Sequence, residues 1–177
     1  MYADYHLHSE FSDDSKELME RQVEKAIKLG LDEMCFTDHV DYGIKRDWDD
    51  PRGIEWRQGD GISSGDAARE PLANVDYPRY FAKIARIRAA YGDAIKIRSG
   101  LEFGIQSITV NDYERLFAKY QDELDFVLFS MHQVDNKEFW TYLADHIKDA
   151  YAILRDEIGF TEIATFEHMQ PIFHKLR

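Results

Sequence analysis

Short apolar stretches alternate with amphipathic stretches along the N-terminal part of the chain. Residues 4–8 predict a first strand, and residues 31–37 predict a second, buried strand. Between them, residues 15–29 place apolar side chains at helical spacing, with Ser15 as the candidate N-cap and Gly30 as the candidate C-cap. A strand, helix, strand order is typical of parallel sheets, so we predict an α/β fold.

The same alternation continues to the end of the chain, apart from one long interruption. The pattern predicts helices at residues 77–91, 113–121 and 142–158, strands at residues 94–102, 125–130 and 160–166, and a tail at residues 169–177. Residues 40–74 are rich in Gly, Asp, Pro, Trp and Arg without a sustained period, which predicts a long irregular loop. The length of 177 residues fits one domain, with an N-terminal part at 1–141 and a C-terminal helix, strand and tail at 142–177.

Composition narrows the class of partner. The chain has 34 acidic and 22 basic residues and a formal net charge of −12, which disfavours nucleic acid and anionic membranes and favours cations. Cys35 is the only cysteine, so an intramolecular disulfide is excluded and any metal would be held by nitrogen and oxygen atoms. No signal peptide is visible and no apolar stretch is long enough to span a bilayer, so we expect a cytoplasmic protein.

Side chains that can bind metal follow four of the predicted strands. They are His6 with His8, Asp38 with His39, Glu102, and His132. Alternate side chains of a strand share a face, and the carboxyl ends of parallel strands converge on one cleft. A shell of His, Asp and Glu without thiolate suits Zn²⁺, Mn²⁺ or Fe²⁺, and Glu102 could bridge two ions. Paired metals activate water and stabilise the charge of a phosphoryl transfer.

Each of these residues also has a purely structural interpretation. The first two histidines could share a polar strand end by coincidence. His39 could cap a helix, Glu102 could pair with Arg98, and His132 could be a hydrogen-bonded core imidazole. The set as a whole favours a metal site, because four strand ends rarely become polar together by accident.

Four motifs resemble the successive motifs of the PHP superfamily, specifically its monofunctional histidinol-phosphate phosphatases. They are HLHSEFSDD at residues 6–14, TDH at 37–39, GLEFG at 100–104 and SMHQV at 130–134, and residues 160–171 resemble the family's C-terminus. The resemblance implies a PHP-type (βα)7-like barrel with a trinuclear metal centre, which hydrolyses L-histidinol phosphate by metal-activated water in histidine biosynthesis. It also implies six metal ligands by position: His6, His8 and Glu102 for one ion, Glu102 and His132 for a second, and Asp14 and His39 for a third.

The chain departs from the family pattern after the fourth motif. Family members continue through further strand and helix units with a Gly-His and an Asp-x-His motif, whereas residues 139–141 here lead almost directly into residues 142–147, which resemble the start of the family's terminal helix. The resemblance therefore implies an incomplete barrel with parallel strands and outer helices. Each metal would lack one protein ligand, so the number of bound ions could be lower than three.

Two expectations follow from this departure. We do not expect the remaining histidines, His146, His168 and His174, to replace the missing ligands. Missing strands leave two sheet edges open, which predicts a homo-oligomer formed through those edges.

Three functions are consistent with these features. The first is a metal-dependent histidinol-phosphate phosphatase that takes a small phosphorylated substrate. The second is a non-catalytic or weakly active shortened PHP domain that binds metal. The third is a PHP phosphoesterase for another small phosphate monoester, with residues 40–74 altering the choice of substrate.

Overall fold

The computed structural model describes residues 2–58, 69–134 and 136–138. The chain divides into two compact units, Met1–Lys137 and Glu138–Arg177, and nearly all of the described residues belong to the first. No helix in this described part of the chain is long and apolar enough to cross a lipid bilayer.

Several predictions fall outside the described residues. They are the helix at 142–158, the strand at 160–166, the tail at 169–177, and His146, His168 and His174. The predicted domain organisation depends on these segments and stays a prediction.

The described elements include every strand and helix predicted for this part of the chain, together with five strands that were not predicted. The strands are β1 (Ala3–Leu7), β2 (Glu33–Phe36), β3 (His39–Val40), β4 (Glu55–Gln58), β5 (Arg69–Leu72), β6 (Lys96–Gly104), β7 (Phe126–Ser130), β8 (Gln133–Val134) and β9 (Lys137–Glu138). The helices are α1 (Met19–Leu29), α2 (Tyr77–Tyr91) and α3 (Val110–Tyr120), with short 3-10 turns at Ser107–Thr109 and Gln121–Glu123.

Five parallel strands form the main sheet, and β6 lies at its centre. β1 pairs with β2, and β2 pairs with the first half of β6, where Glu33 is in register with Lys96. The second half of β6 pairs with both β3 and β7, so Glu102 is in register with His39 and with Leu128. β4 pairs with β5 and β8 with β9 in separate two-stranded sheets. The parallel α/β architecture predicted from the sequence is confirmed.

The hydrophobic core joins the sheet to the helices. Helix α2 buries Tyr80, Ile84 and Ile87, which are 0%, 1% and 2% exposed, because these positions recur at helical spacing on one face. The Tyr80 hydroxyl also donates a hydrogen bond to the Gly100 carbonyl oxygen of β6 at 2.9 Å. Each large apolar side chain buried in this way contributes about 1.5–3 kcal/mol. The sheet contributes the buried side chains Met34, Phe36, Leu101 and Phe103.

Helix α1 begins later than the sequence predicts. Its first residue is Met19, and Ser15 is not its N-cap. Glu10, from the loop after β1, instead accepts a hydrogen bond from the Met19 amide through Oε2 at 2.9 Å. The other end agrees with the prediction, because Gly30 has a φ of 77°, a left-handed conformation that glycine adopts without strain.

The predicted irregular loop at residues 40–74 contains a β-hairpin. β4 and β5 are antiparallel, with Glu55 in register with Leu72. Ion pairs stabilise the hairpin: Arg57 Nη2 lies 3.2 Å from Asp13 Oδ2, and Arg57 Nε lies 3.5 Å from Glu70 Oε2. Half of the residues in these two strands are charged and neither strand alternates apolar and polar side chains, so the pattern of the sequence did not reveal them.

Helix α3 is attached to the carboxyl ends of two strands through one tyrosine. The Tyr113 hydroxyl lies 2.9 Å from the Val40 carbonyl oxygen of β3 and 2.8 Å from the Gly104 carbonyl oxygen of β6. The Tyr113 hydroxyl oxygen also accepts a hydrogen bond from the Tyr42 amide at 3.2 Å. This single buried hydroxyl therefore ties the helix to the strand ends that carry His39 and Glu102.

Candidate metal centre

The carboxyl end of the main sheet gathers all six residues predicted as metal ligands. His6 lies on β1 and His8 directly after it, Asp14 lies in the loop before α1, His39 is on β3, Glu102 is on β6, and His132 follows β7. Their positions follow from the topology, because parallel strands present their carboxyl ends on one edge.

Glu102 is the centre of this cluster. Its side chain is 2% exposed, and Oε2 lies 3.1 Å from His6 Nε2, 2.9 Å from His8 Nε2 and 3.2 Å from His39 Nδ1. The other oxygen, Oε1, lies 3.1 Å from His132 Nε2. One buried carboxylate therefore faces imidazoles from β1, β3 and the end of β7.

Asp14 closes the cluster on its exposed side. Its Oδ2 lies 2.8 Å from His8 Nδ1 and 3.3 Å from His39 Nε2. The described residues thus form three possible ligand sets, in each of which the ligand atoms lie within 4.8 Å of one another. The sets are His6, His8 and Glu102; His8, Asp14 and His39; and His39, Glu102 and His132.

The close packing of carboxylates and imidazoles shifts their pKa values. Burial lowers the pKa of His8, but Asp14 and Glu102 outweigh burial and raise it to about 10. Burial likewise lowers the pKa of His132, but Asp41 and Glu102 raise it to about 9. Burial raises the pKa of Glu102, yet the neighbouring imidazoles of His132 and His8 hold it well below its usual range. These shifts favour the charged form of each group, as expected where carboxylates and imidazoles lie within a few ångströms of one another.

The donor atoms fit a divalent cation. Among the described residues, His8 Nε2 and His39 Nδ1 are buried and have no partner in hydrogen-bonding geometry, although Glu102 Oε2 lies 2.9 Å and 3.2 Å away, respectively. A buried polar atom without a partner is costly, and a bound cation would remove that cost by accepting the nitrogen lone pair. Imidazole and carboxylate donors without thiolate suit zinc, manganese or iron.

The structural alternatives for two of these residues do not hold. Arg98 does not pair with Glu102: its guanidinium lies 2.6 Å from Glu33 and 3.2 Å from Asp125 at the other end of the strands. His39 does not cap a helix, because it begins β3.

Asp38, the other residue predicted at this strand end, organises the loop that carries Asp14. Its side chain accepts hydrogen bonds from the Ser9 amide at 2.7 Å and from the Ser12 hydroxyl at 2.9 Å. The Ser12 hydroxyl in turn accepts a hydrogen bond from the His39 amide at 2.9 Å. Burial raises the pKa of Asp38 to about 6, against these hydrogen bonds. Asp38 therefore fixes the loop and belongs to none of the three ligand sets of the described residues.

Asp41 was not identified from the sequence. It is 6% exposed, and its Oδ1 lies 2.8 Å from His132 Nδ1, a residue 91 positions away. The only local signal was its position two residues after His39, on the same face of an extended segment.

The chain belongs to the PHP domain family, whose model matches residues 4–172. Its relatives include the histidinol-phosphatase of Lactococcus lactis, 34% identical over 137 residues that cover 77% of this chain and 41% of the relative. A Deinococcus radiodurans protein named "Probable histidinol-phosphatase" is 24% identical over 188 residues, covering 96% of this chain and 64% of that protein. The chain therefore spans less than two thirds of the length of these relatives.

The fold comparison agrees with the family. The crystal structure of the Lactococcus lactis histidinol phosphate phosphatase, complexed with zinc, L-histidinol and phosphate, matches this chain with a TM-score of 0.60 and 31% identity. The match covers 77% of this chain and 42% of that one. The described parallel strands thus correspond to a PHP-type barrel that is incomplete relative to the full barrel.

Proposed function

We propose that this chain is a metal-dependent phosphatase that hydrolyses L-histidinol phosphate in histidine biosynthesis. The observation that carries the proposal is the convergence of six His, Asp and Glu side chains around the buried carboxylate of Glu102. The proposed substrate rests on the relatives, one of which was solved with zinc, L-histidinol and phosphate.

The geometry supports two ions held at the same time. The set with His6 and the set with His132 have only Glu102 in common, whose Oε2 faces His6, His8 and His39 and whose Oε1 faces His132. The set with Asp14 shares one histidine with each of the others, and a neutral imidazole binds one ion through one nitrogen. A third ion would therefore need ligands beyond these six residues.

Each side chain has a defined task in this proposal. When bound, divalent ions would supply Lewis-acid stabilisation of the phosphate and a more acidic water. Glu102, the residue common to the two sets, would hold both ions. The side chains of His6 and Asp14 are 56% and 50% exposed, so this side of the cluster is open to a phosphate group from solvent.

The test combines metal analysis with a phosphate-release assay. The purified full chain is loaded with Zn²⁺ or Mn²⁺, its metal content is measured, and phosphate release from L-histidinol phosphate is followed. We expect bound metal and turnover, and loss of both in Glu102→Gln, which removes the shared carboxylate. Turnover that persists at the same rate in Glu102→Gln would contradict the proposed site.

A second candidate is a PHP domain that binds metal without catalysis. Its support is the three ligand sets of the described residues, which could hold a metal whether or not a substrate is turned over. Stoichiometric metal without phosphate release from any monoester would favour this candidate. Release from other monoesters but not from L-histidinol phosphate would retain the phosphatase class and change the substrate.

A further inference from the structure

A buried pair of opposite charges, Asp41 and Lys45, lies directly behind His132. Both residues are 6% exposed, and Asp41 Oδ2 lies 2.9 Å from Lys45 Nζ. The other oxygen, Asp41 Oδ1, lies 2.8 Å from His132 Nδ1. Neither member of the pair belongs to the ligand sets found among the described residues, so a direct role in holding an ion does not explain them.

The chemistry of the contact defines the state of the imidazole. An ionised carboxylate only accepts hydrogen bonds, so the contact with Asp41 requires a proton on His132 Nδ1. The opposite nitrogen, Nε2, then has the free lone pair when the ring is neutral, and it lies 3.1 Å from Glu102 Oε1. A second carboxylate that holds one ring nitrogen in this way orients a metal-binding histidine and raises its basicity.

We propose that Asp41 is a positioning residue for His132. It holds the ring with Nδ1 protonated and Nε2 directed towards Glu102, where the set of His39, Glu102 and His132 would hold an ion. This inference rests on the metal centre of the proposed function, and it adds a residue that lies outside the three ligand sets of the described residues.

The backbone around Asp41 fixes the carboxylate in place. The Asp41 amide donates a hydrogen bond to Asn74 Oδ1 at 2.9 Å, and the Lys45 amide donates to the Asp41 carbonyl oxygen at 2.8 Å. Lys45 Nζ also donates to Asp13 Oδ1 at 2.7 Å, so the ammonium bridges two carboxylates. With one oxygen held by Lys45, the other stays directed at His132.

The position of Gly104 independently supports the contact between Asp41 and His132. A Cβ atom at this position would collide with Asp41 Oδ1 and lie 2.9 Å from His132 Nδ1. Glycine is therefore the residue that leaves space for the contact between the carboxylate and the imidazole. Gly104→Ala should separate the two groups without removing either of them.

The first test is spectroscopic and uses the metal-free full chain. In histidine-labelled protein, the Nδ1–H proton of His132 should give a downfield, slowly exchanging NMR signal. We expect Asp41→Ala and Gly104→Ala to remove this signal. Asp41→Asn should retain it, because the amide oxygen still accepts. The matched control is Asp125→Asn, a carboxylate with several partners at the amino-terminal end of β7, which should leave the signal unchanged.

The second test is metal affinity, measured by competition with a chelating indicator. Asp41→Ala should weaken one of the bound ions by about 10–100-fold, as expected when the carboxylate behind a metal-binding histidine is lost. Asp41→Asn should weaken it less, and Asp125→Asn should have no effect. Circular dichroism identifies the folded variants, and if Asp41→Ala does not fold, Gly104→Ala and Asp41→Asn decide.

The outcomes distinguish this inference from the proposed function. Folded Asp41→Ala or Gly104→Ala protein that keeps both the His132 signal and wild-type affinity would overturn the positioning role while the metal centre stands. A wild-type chain that binds no metal would refute the proposed function. The spectrum of the metal-free protein would then still decide whether Asp41 holds His132.

Discussion

The shared position of Glu102 leads to a prediction about metal-dependent stability. Glu102→Gln keeps the shape of the side chain but removes the carboxylate that both ligand sets use. His6→Gln removes a ligand from one set, and His132→Gln removes a ligand from the other. The three variants should therefore differ in how much added metal stabilises them.

The size of the effect follows from mass action. An ion at a free concentration of 100 times its Kd stabilises the folded state by about 2.7 kcal/mol per site. For a chain of 177 residues, each kcal/mol raises Tm by about 2–4 °C, so one ion adds roughly 5–11 °C and two ions add roughly 11–22 °C. We expect two increments for the wild type, one for His6→Gln and for His132→Gln, and none for Glu102→Gln.

Thermal unfolding with and without Zn²⁺ measures these increments. The control is Glu33→Gln, which removes a buried carboxylate at the amino-terminal end of β2 that bonds Tyr5 and Arg98. Its Tm should fall without metal, but its response to metal should equal that of the wild type. Glu102→Gln with the same response as His6→Gln would show that Glu102 belongs to a single site and would refute the bridge.

Three further predictions concern parts of the fold away from the metal centre. In Gly100→Ala, the new Cβ would lie 2.8 Å from Cys35 Sγ and 2.9 and 3.0 Å from two strand carbonyl oxygens. Urea denaturation should show that the free energy of unfolding falls by about 1–3 kcal/mol and is partly recovered by adding Cys35→Ala. Effects of the two substitutions that simply add would contradict this contact. Burial raises the pKa of the Cys35 thiol to about 12, so Ellman's reagent at pH 8 should react only after unfolding, and rapid native reaction would contradict the burial. Burial raises the pKa of Asp125, but the Ser99 amide and Arg88 outweigh it and keep that pKa below its usual range, so its stabilising effect is present above about pH 4 and declines as the pH falls. Asp125→Asn should therefore lower the free energy of unfolding by about 1–2 kcal/mol at pH 7 and by less at pH 3; an equal loss at both pH values would show that its charge is not responsible.

The part of the site that could be predicted depends on local geometry. His6 and His8 are two residues apart on an extended segment, and their ring centroids lie 4.9 Å apart in the structure. Glu102 lies near the carboxyl end of β6 and His39 begins the short strand β3, and the parallel pairing of the two strands puts these residues in register. Strand periodicity and the alternation of strands and helices can be read from a single sequence, so the convergence of these side chains could be predicted.

The parts that were missed depend on contacts between distant residues. The start of α1 is set by Glu10, whose carboxylate caps the helix from outside it, whereas local reasoning pointed to Ser15. Asp41 acquires its role only when His132 lies beside it. The hairpin of β4 and β5 depends on Arg57, which reaches outside the hairpin to Asp13. These pairings could not be predicted from local patterns, because the partners are separated along the chain and meet only in the folded structure.

The open sheet edges predicted from the sequence concern assembly, and a homo-oligomer stays a prediction. Phe129 of β7 and Met131 directly after it are 66% and 67% exposed, so a partner at this edge would cover apolar surface. Light scattering of the purified chain measures the oligomeric state, and a monomer at high concentration would contradict the prediction.

The attachment of α3 through Tyr113 has a consequence for how the metal centre assembles. The hydroxyl joins the helix to the ends of both β3 and β6, so the backbone that carries His39 and Glu102 forms a frame that is held by hydrogen bonds without an ion. Asp14 and His132 lie in connecting segments outside that frame. The loop of Asp14 is hydrogen-bonded to Asp38 and the ring of His132 to Asp41, so an ion would bind ligands that are already held in place.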